Sequence, residues 1–205
     1  MKFWLSAGLT LLVTVGGLFG LSAGTHGFKV WTEEGQRRWS ALQEPKPLPA
    51  FRWTNQDRTD ISLASLNKPI VLLDFIYTRC PTVCRVLGHE FRQLQDQLRD
   101  KGLEDSVQLL SLSFDQQYDT PAAMADYLKR HRADPDLWQG GIITDEAVLQ
   151  RLLKHLGVVV LPDEYGGYVH NAAFYLIYNG TLVSIHDQDQ LPTLVKAVEQ
   201  LSWSF

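Results

Sequence analysis

Residues 69–84 read PIVLLDFIYTRCPTVC, and this stretch predicts both a fold and a site. Its first part, residues 69–77, is a continuous apolar run of strand length, as expected for a central strand covered on both faces. An amphipathic helix is predicted over about 82–100, because apolar residues recur there at helical spacing. The only two cysteines, Cys80 and Cys84, therefore follow the carboxyl end of a buried strand, where open α/β sheets place their sites.

The rest of the chain alternates between strand and helix patterns. The predicted elements are an opening hairpin near 51–65, strands at 107–114 and 140–144, a helix opening at Asp119-Thr120, a helix over 145–157, a hairpin turning at Asn179-Gly180 and a closing amphipathic helix. This alternation predicts an α/β fold with helices flanking a mixed central sheet, since the last two strands must be antiparallel.

The N-terminal segment, residues 1–28, is predicted to be a membrane anchor or an uncleaved signal. No Asp, Glu, Lys or Arg occurs from Phe3 to Phe28, and this run exceeds the ~20 residues that cross a bilayer as a helix. A cleavable signal peptide is the competing interpretation, and either one exports the domain. Lys2 favours an N-terminus inside and a domain outside. Residues 29–47 then form a juxtamembrane linker, and residues 48–205 form the globular domain.

Composition and length argue against one class of partner and against the need for a stabilising disulfide. The 205-residue chain has a formal net charge of −4 and a pI near 5.8, which argues against a nucleic-acid-binding face. The domain is also long enough for a full hydrophobic core, so it needs no disulfide to fold.

Three interpretations of Cys80 and Cys84 are open: a structural disulfide, a redox couple, or part of a metal site. A disulfide across so short a loop adds little stability, because closing the loop removes little entropy from the unfolded chain. The C-x-x-x-C spacing also differs from the C-x-x-C of thioredoxin-like redox motifs. The positive end of the predicted helix favours thiolates, which suit either a redox couple or a soft metal.

A metal site needs a further ligand, and His170 is the best candidate. It lies in YGGYVHNAAFYLI, after a Gly-Gly loop and just before a buried strand. His186 is a weaker candidate beside Asp187, while the other histidines are expected in the leader or on helix surfaces: His26, His89, His131 and His155. Two thiolates with one imidazole suit Cu(I) and can also hold Cu(II).

Three motifs together give the chain a resemblance to the Sco/SenC family of membrane-anchored, copper-binding proteins with a thioredoxin-like fold. They are DFIYTRCPTVC, LSFDQQYDTPAAMADYL and YVHNAAFYLI, in that order, within a resemblance that runs from about Leu48 to the C-terminus. By position, the resemblance implies that Cys80 and Cys84 are the thiolate ligands and His170 the imidazole ligand. Asp115 and Asp119, which match the acidic pair of the second motif, are interpreted as ordering a loop.

The sequence departs from the family pattern at two positions. Val169 stands where the family has an Asp immediately before the histidine, which removes a potential acceptor beside the copper ligand. Gln116 replaces the proline expected after Asp115, a smaller change in loop stiffness.

The resemblance implies a metallochaperone rather than an enzyme. Such a protein binds one copper ion per chain and delivers it to the copper A centre of cytochrome c oxidase or to another copper-receiving protein. It would be a single-pass protein of the inner membrane, held by its N-terminal helix, with the domain in the periplasm or an equivalent exported compartment. The alternative is a membrane-tethered thiol-disulfide oxidoreductase that keeps client cysteines reduced for metallation, and a scaffold with an inert disulfide is a third interpretation.

Overall fold

The computed structural model describes residues 2–80 and 83–203, with the backbone alone at residues 2–7, 9 and 83–85. The helices are α1 (Lys2–Gly24), α2 (Glu33–Gln43), α3 (Val83–Asp100), α4 (Pro121–Arg130), α5 (Glu146–Leu156) and α6 (Leu191–Ser202). The strands are β1 (Lys46–Pro47), β2 (Arg52–Asn55), β3 (Asp60–Ser62), β4 (Ile70–Ile76), β5 (Val107–Ser113), β6 (Trp138–Ile142), β7 (Val160–Pro162), β8 (Tyr168–His170), β9 (Phe174–Tyr178) and β10 (Thr181–His186). Short 3-10 helices occupy Leu63–Ser65 and Gln188–Gln190.

The main sheet is mixed, as the sequence predicts. Its strand order is β1-β10-β9-β4-β5-β6-β2-β3, with β4, β5 and β6 parallel and the remaining pairs antiparallel. The opening hairpin is confirmed as β2 and β3, and β2 adds it to the sheet by pairing with β6. The strands β7 and β8 form a separate two-stranded ribbon, which the sequence did not predict.

Helix α3 packs on the main sheet through one apolar stripe. Its residues Leu87, Phe91, Leu94 and Leu98 are inaccessible to solvent, at the helical spacing that predicted the element. Phe91 packs against Trp138 and Phe174, which lie on strands on either side of β4 and β5. Every residue of β4 and β5 is buried, so the two strands form the centre of the core.

One carboxyl group lies inside this core. Asp74 occupies the middle of β4, opposite Ser111 in the parallel register with β5, and it is fully buried. Among the described residues, neither of its carboxyl oxygens has a hydrogen-bond partner. Burial therefore raises the pKa of Asp74 to about 7.

Helix α2 lies within the region predicted to be a linker, 29–47. Thr32 begins the helix by accepting a hydrogen bond from the Gly35 amide at 2.9 Å, and acidic residues occupy its first turn. Arg37 then donates to the Leu156 carbonyl at 2.6 Å and to the Tyr175 hydroxyl at 3.1 Å. The segment is helical because these start signals precede the prolines that favour an extended chain, and α2 packs against the domain.

The predicted membrane anchor finds no support in the structure. Helix α1 falls within residues 1–28, but among residues 2–80 and 83–203 no helix is both long and apolar enough to cross a bilayer.

Candidate metal centre

The Cys80 loop leaves the carboxyl end of β4 and turns at once toward α3. The Cys80 amide donates to the Tyr77 carbonyl at 3.2 Å, and Cys80 is buried, with 8% of its surface exposed. Cys84 lies in the first turn of α3, where helix dipoles favour a thiolate. The Cys84 side chain lies outside the described residues, as do Pro81 and Thr82, where the sequence predicted the helix to begin.

The His170 ring occupies an apolar environment at the same site. It ends β8 and meets the Phe114 ring edge to face, with centroids 5.1 Å apart. Both of its ring nitrogens are buried, and neither has a hydrogen-bond partner among the described residues. Burial lowers the pKa of His170, and the charge of Cys80, which raises it, offsets part of this effect. This lowering favours the neutral imidazole, in which one ring nitrogen carries a lone pair that can bind a metal.

Asp119 holds the loop that carries Cys80. Its carboxylate accepts hydrogen bonds from the Thr78 amide at 2.9 Å, from the Thr78 hydroxyl and from the Ser113 hydroxyl. These contacts agree with the loop-ordering role that was predicted for Asp119. Helix α4 is capped by Thr120, which accepts from the Ala123 amide at 3.1 Å, so Thr120 is the capping residue at the predicted helix start Asp119-Thr120.

Asp115 is buried beside Asp119 and binds the neighbouring loop residue, Arg79. The Arg79 guanidinium donates to Asp115 Oδ2 from Nε at 3.1 Å and from Nη2 at 2.8 Å. The other oxygen, Oδ1, accepts from the Tyr168 hydroxyl at 3.4 Å. Sequence reasoning missed Arg79 and Tyr168, although Tyr168 lies two residues before His170 and so shares its face of the strand.

Val169 points away from the site because successive strand residues face opposite sides. It lies opposite Leu161 in the ribbon register, and 63% of its surface is exposed. The departure from the family Asp therefore changes the outer surface of the ribbon and not the surroundings of the His170 ring. Gln116, the second departure, donates from Nε2 to the Ile143 carbonyl and ties its loop to the end of β6.

The remaining histidines lie elsewhere. His89 and His155 are exposed on helices, and His26 contacts Gln36. His131 differs from the predicted surface residue, since its ring packs on Tyr127 with centroids 4.7 Å apart. His186, the weaker candidate, is buried on β10 and shares a 2.8 Å hydrogen bond with the Ser184 hydroxyl.

We expect Asp119→Ala to lower the free energy of unfolding of the metal-free protein by about 3 kcal/mol. The change leaves the Thr78 amide and the Thr78 and Ser113 hydroxyls without their acceptor, and an unsatisfied buried group costs about 1–3 kcal/mol. Urea unfolding measures the loss, with Asp126→Ala on the exposed face of α4 as the matched control. A loss below about 1 kcal/mol would show that the carboxylate does not hold the loop.

Comparison with known proteins gives one family and several relatives. The family model described as SCO1/SenC matches residues 40–201. The chain is 28% identical over 129 residues to the SCO1 protein homolog of Bacillus subtilis (strain 168), which covers 62% of this chain and 66% of that protein. It is 30% identical over 121 residues to a putative copper-binding protein of Stutzerimonas stutzeri, which covers 59% of this chain and 57% of that protein. The chain thus spans less than two thirds of the length of each of these relatives.

Solved structures share the fold. A SCO1/SenC family lipoprotein from Bacillus anthracis str. Ames superposes with a TM-score of 0.71 at 24% identity, over 78% of this chain and 99% of that one. BsSco, described with a disulfide switch and as a member of the Sco family of cytochrome c oxidase assembly proteins, gives 0.68 at 24% identity over 78% and 95%. Bradyrhizobium japonicum ScoI with copper bound gives 0.62 at 24% identity over 76% and 99%.

Proposed function

The chain belongs to the SCO1/SenC family, and from that premise we propose that it is a metallochaperone that binds one copper ion through Cys80, Cys84 and His170. The observation that carries the proposal is the His170 ring, buried beside Cys80 with both nitrogens unpartnered among the described residues. An unsatisfied buried imidazole costs free energy, and coordination of a metal through one nitrogen would compensate for part of that cost.

The chemistry of the donors favours copper. Two thiolates satisfy Cu(I), which prefers soft sulfur ligands, and an added imidazole suits Cu(II). Zinc takes the same ligand types but usually has four ligands. Among the described residues, no three His, Cys, Asp or Glu side chains form a metal-binding group, so a fourth donor is not supplied by Asp115 or Asp119. The copper-binding relative and the copper-bound ScoI structure add support by family likeness.

The proposed destination of the copper is the copper A centre of cytochrome c oxidase, or another copper-receiving protein. Transfer by ligand exchange needs no electron donor, because each thiolate of this chain is replaced on copper by a donor of the receiving protein. The support for this client is family likeness, since BsSco is described among cytochrome c oxidase assembly proteins.

Anaerobic titration of the reduced full-length protein with Cu(I) tests the binding site. We expect saturation near one equivalent per chain, and loss of this tight binding in Cys80→Ser and in Cys84→Ser, because a single thiolate cannot replace the pair. His89→Ala, which changes an exposed histidine on α3, is the matched control and should bind as the wild type does. Unchanged Cu(I) binding by either serine variant would refute the assignment of the thiolate ligands.

The second candidate function is thiol-disulfide exchange. It is favoured by the position of Cys80 just before α3, with Cys84 in the first helical turn, and by the disulfide switch described for BsSco. The Cys80 thiolate would attack a client disulfide, Cys84 would then displace the client thiolate, and two electrons would pass to the client as this chain forms its own disulfide. Cys84→Ser should then trap a mixed disulfide through Cys80, and activity should survive loss of His170.

We also propose that the domain acts outside the cytoplasmic membrane. The support is the uncharged run from Phe3 to Phe28, which has the composition of an export signal. Intact cells are treated with an impermeant reductant and then with an impermeant thiol label. We expect Cys80 and Cys84 to be labelled if the domain is exported, and they should stay unlabelled if it is cytoplasmic.

A further inference from the structure

Arg79 lies in the Cys80 loop and contacts the β7–β8 ribbon, whose last residue is the proposed copper ligand His170. We propose that Arg79 is a positioning residue, which holds the β7–β8 ribbon against the Cys80 loop and so keeps His170 at the site before copper binds. This inference rests on the proposed copper function. Arg79 is not proposed as a copper ligand, and its effect on copper passes through His170.

The first contact joins Arg79 to the ribbon through a shared carboxylate. Asp115 is inaccessible to solvent and accepts two hydrogen bonds from Arg79 on Oδ2, while Oδ1 accepts from the Tyr168 hydroxyl. One buried carboxylate thus binds a residue of the Cys80 loop and a residue of β8. Tyr168 and His170 face the same side of β8, so an anchor on Tyr168 also orients His170.

The second contact is direct. Arg79 Nη1 donates to the Gly166 carbonyl at the ribbon turn, at 3.4 Å, and the guanidinium carbon lies 3.7 Å from the centroid of the Tyr118 ring. The planar guanidinium can contact Asp115, Gly166 and an aromatic face at once because its donors are fixed in a fork. A lysine ammonium has the same charge, but it is a single point and lacks this geometry.

The ribbon depends on such contacts because it is short. Each of its strands has three residues, and among the described residues neither strand pairs with the main sheet. A two-stranded hairpin alone is at best marginally stable in water. The Tyr77 hydroxyl provides another anchor, because it donates to the Tyr168 carbonyl and accepts from the Tyr168 amide, both at 3.2 Å.

Holding His170 in place before copper binds lowers the entropic cost of copper binding. If the ribbon is already held in place, copper binding does not have to order His170. The loss of conformational entropy on binding is then smaller, and the copper affinity is higher. If Arg79 is replaced, the ribbon opens more often and the imidazole leaves the metal more often. The consequence is faster exchange of ribbon amides without copper and faster dissociation of Cu(II) with it.

The test compares Arg79→Lys with the double variant Arg79→Met/Asp115→Asn in the full-length protein. Arg79→Lys keeps a positive charge beside the buried Asp115, and the double variant removes both charges of the pair. In neither variant is the Asp115 carboxylate buried without a positive partner. In the metal-free state, we expect the Tyr168 amide of both variants to exchange with solvent at least about tenfold faster than in the wild type. With Cu(II) bound, we expect about tenfold faster loss of the thiolate-to-copper absorption in excess chelator.

Arg92→Lys is the matched control, because Arg92 pairs with Asp96 along α3 and should leave both rates unchanged. Wild-type rates of amide exchange in both Arg79 variants would overturn the proposal. So would a wild-type rate of Cu(II) dissociation in Arg79→Lys, since the effect of Arg79 would then be its charge alone. A wild type that binds no copper would refute the proposed function, whereas the amide exchange would still decide whether Arg79 holds the ribbon.

Discussion

His170→Leu is expected to weaken Cu(II) binding by about two orders of magnitude or more, while making the metal-free protein more stable. Mutation of a residue that only hydrogen-bonds to a metal ligand typically lowers metal affinity about 10- to 100-fold. The loss of Cu(II) affinity in His170→Leu should be larger, because His170 is proposed to be a ligand itself. Cu(I) should be affected less, since the two thiolates satisfy it without the imidazole.

The gain in stability is expected because the His170 ring is buried in the metal-free protein with nitrogens that no described residue satisfies. Two buried ring nitrogens lack hydrogen-bond partners among the described residues, and unsatisfied buried groups cost about 1–3 kcal/mol. Leucine has a similar volume and no polar atom, although it loses the edge-to-face contact with Phe114, which is worth about 0.5–1.5 kcal/mol. We therefore expect a net increase of about 1 kcal/mol in the free energy of unfolding.

Two measurements on the same protein decide this prediction. Competition with a chelator measures the copper affinity, and urea unfolding of the metal-free protein measures the stability. His155→Leu, at an exposed position in the last turn of α5, is the matched control and should leave copper binding unchanged. A less stable His170→Leu protein with unaltered Cu(II) affinity would identify His170 as a structural residue.

Asp74→Asn is expected to remove a loss of stability that grows as the pH rises. The folded protein raises the pKa of this carboxyl from 3.8 to about 7, so between these values the folded state holds a proton that the unfolded state has released. The free energy of unfolding therefore falls as the pH rises through this window and levels off above about 7. A shift of about three units at 1.36 kcal/mol each means that the difference in free energy of unfolding between variant and wild type should move by about 4 kcal/mol in favour of the variant as the pH rises from 4 to 8.

The difference between variant and wild type is the quantity to measure. Burial lowers the pKa of His170 and of His186, so both make the protein more stable as the pH rises toward the ordinary histidine pKa, and they oppose Asp74 in a raw profile. Both histidines are present in each protein and cancel in the difference. Urea unfolding from pH 4 to pH 8 gives this difference, with the exposed Asp100→Asn on α3 as control. A difference that does not change with pH would mean that Asp74 titrates as an ordinary exposed carboxyl.

Much of the fold was predictable because the signals are local. The apolar run that forms β4, the helical spacing that forms α3 and the Asn-Gly turn before β10 each lie within a few residues of the element they specify. The elements that were missed have weak or competing local signals. Helix α2 lies just before prolines that favour an extended chain, and the β7–β8 ribbon has only three residues per strand.

The sequence by itself determined the order of the central elements and the five-residue window that contains Cys80 and Cys84, because hydrophobic periodicity and spacing act along the chain. It also singled out His170, but only the tertiary structure brought that ring to Cys80, left its nitrogens without a hydrogen-bond partner among the described residues and turned Val169 to the outside. The contacts of Arg79 and Asp119 were likewise decided in three dimensions. They join the loops after β4 and β5, which meet because parallel strands bring their carboxyl ends to the same edge of the sheet.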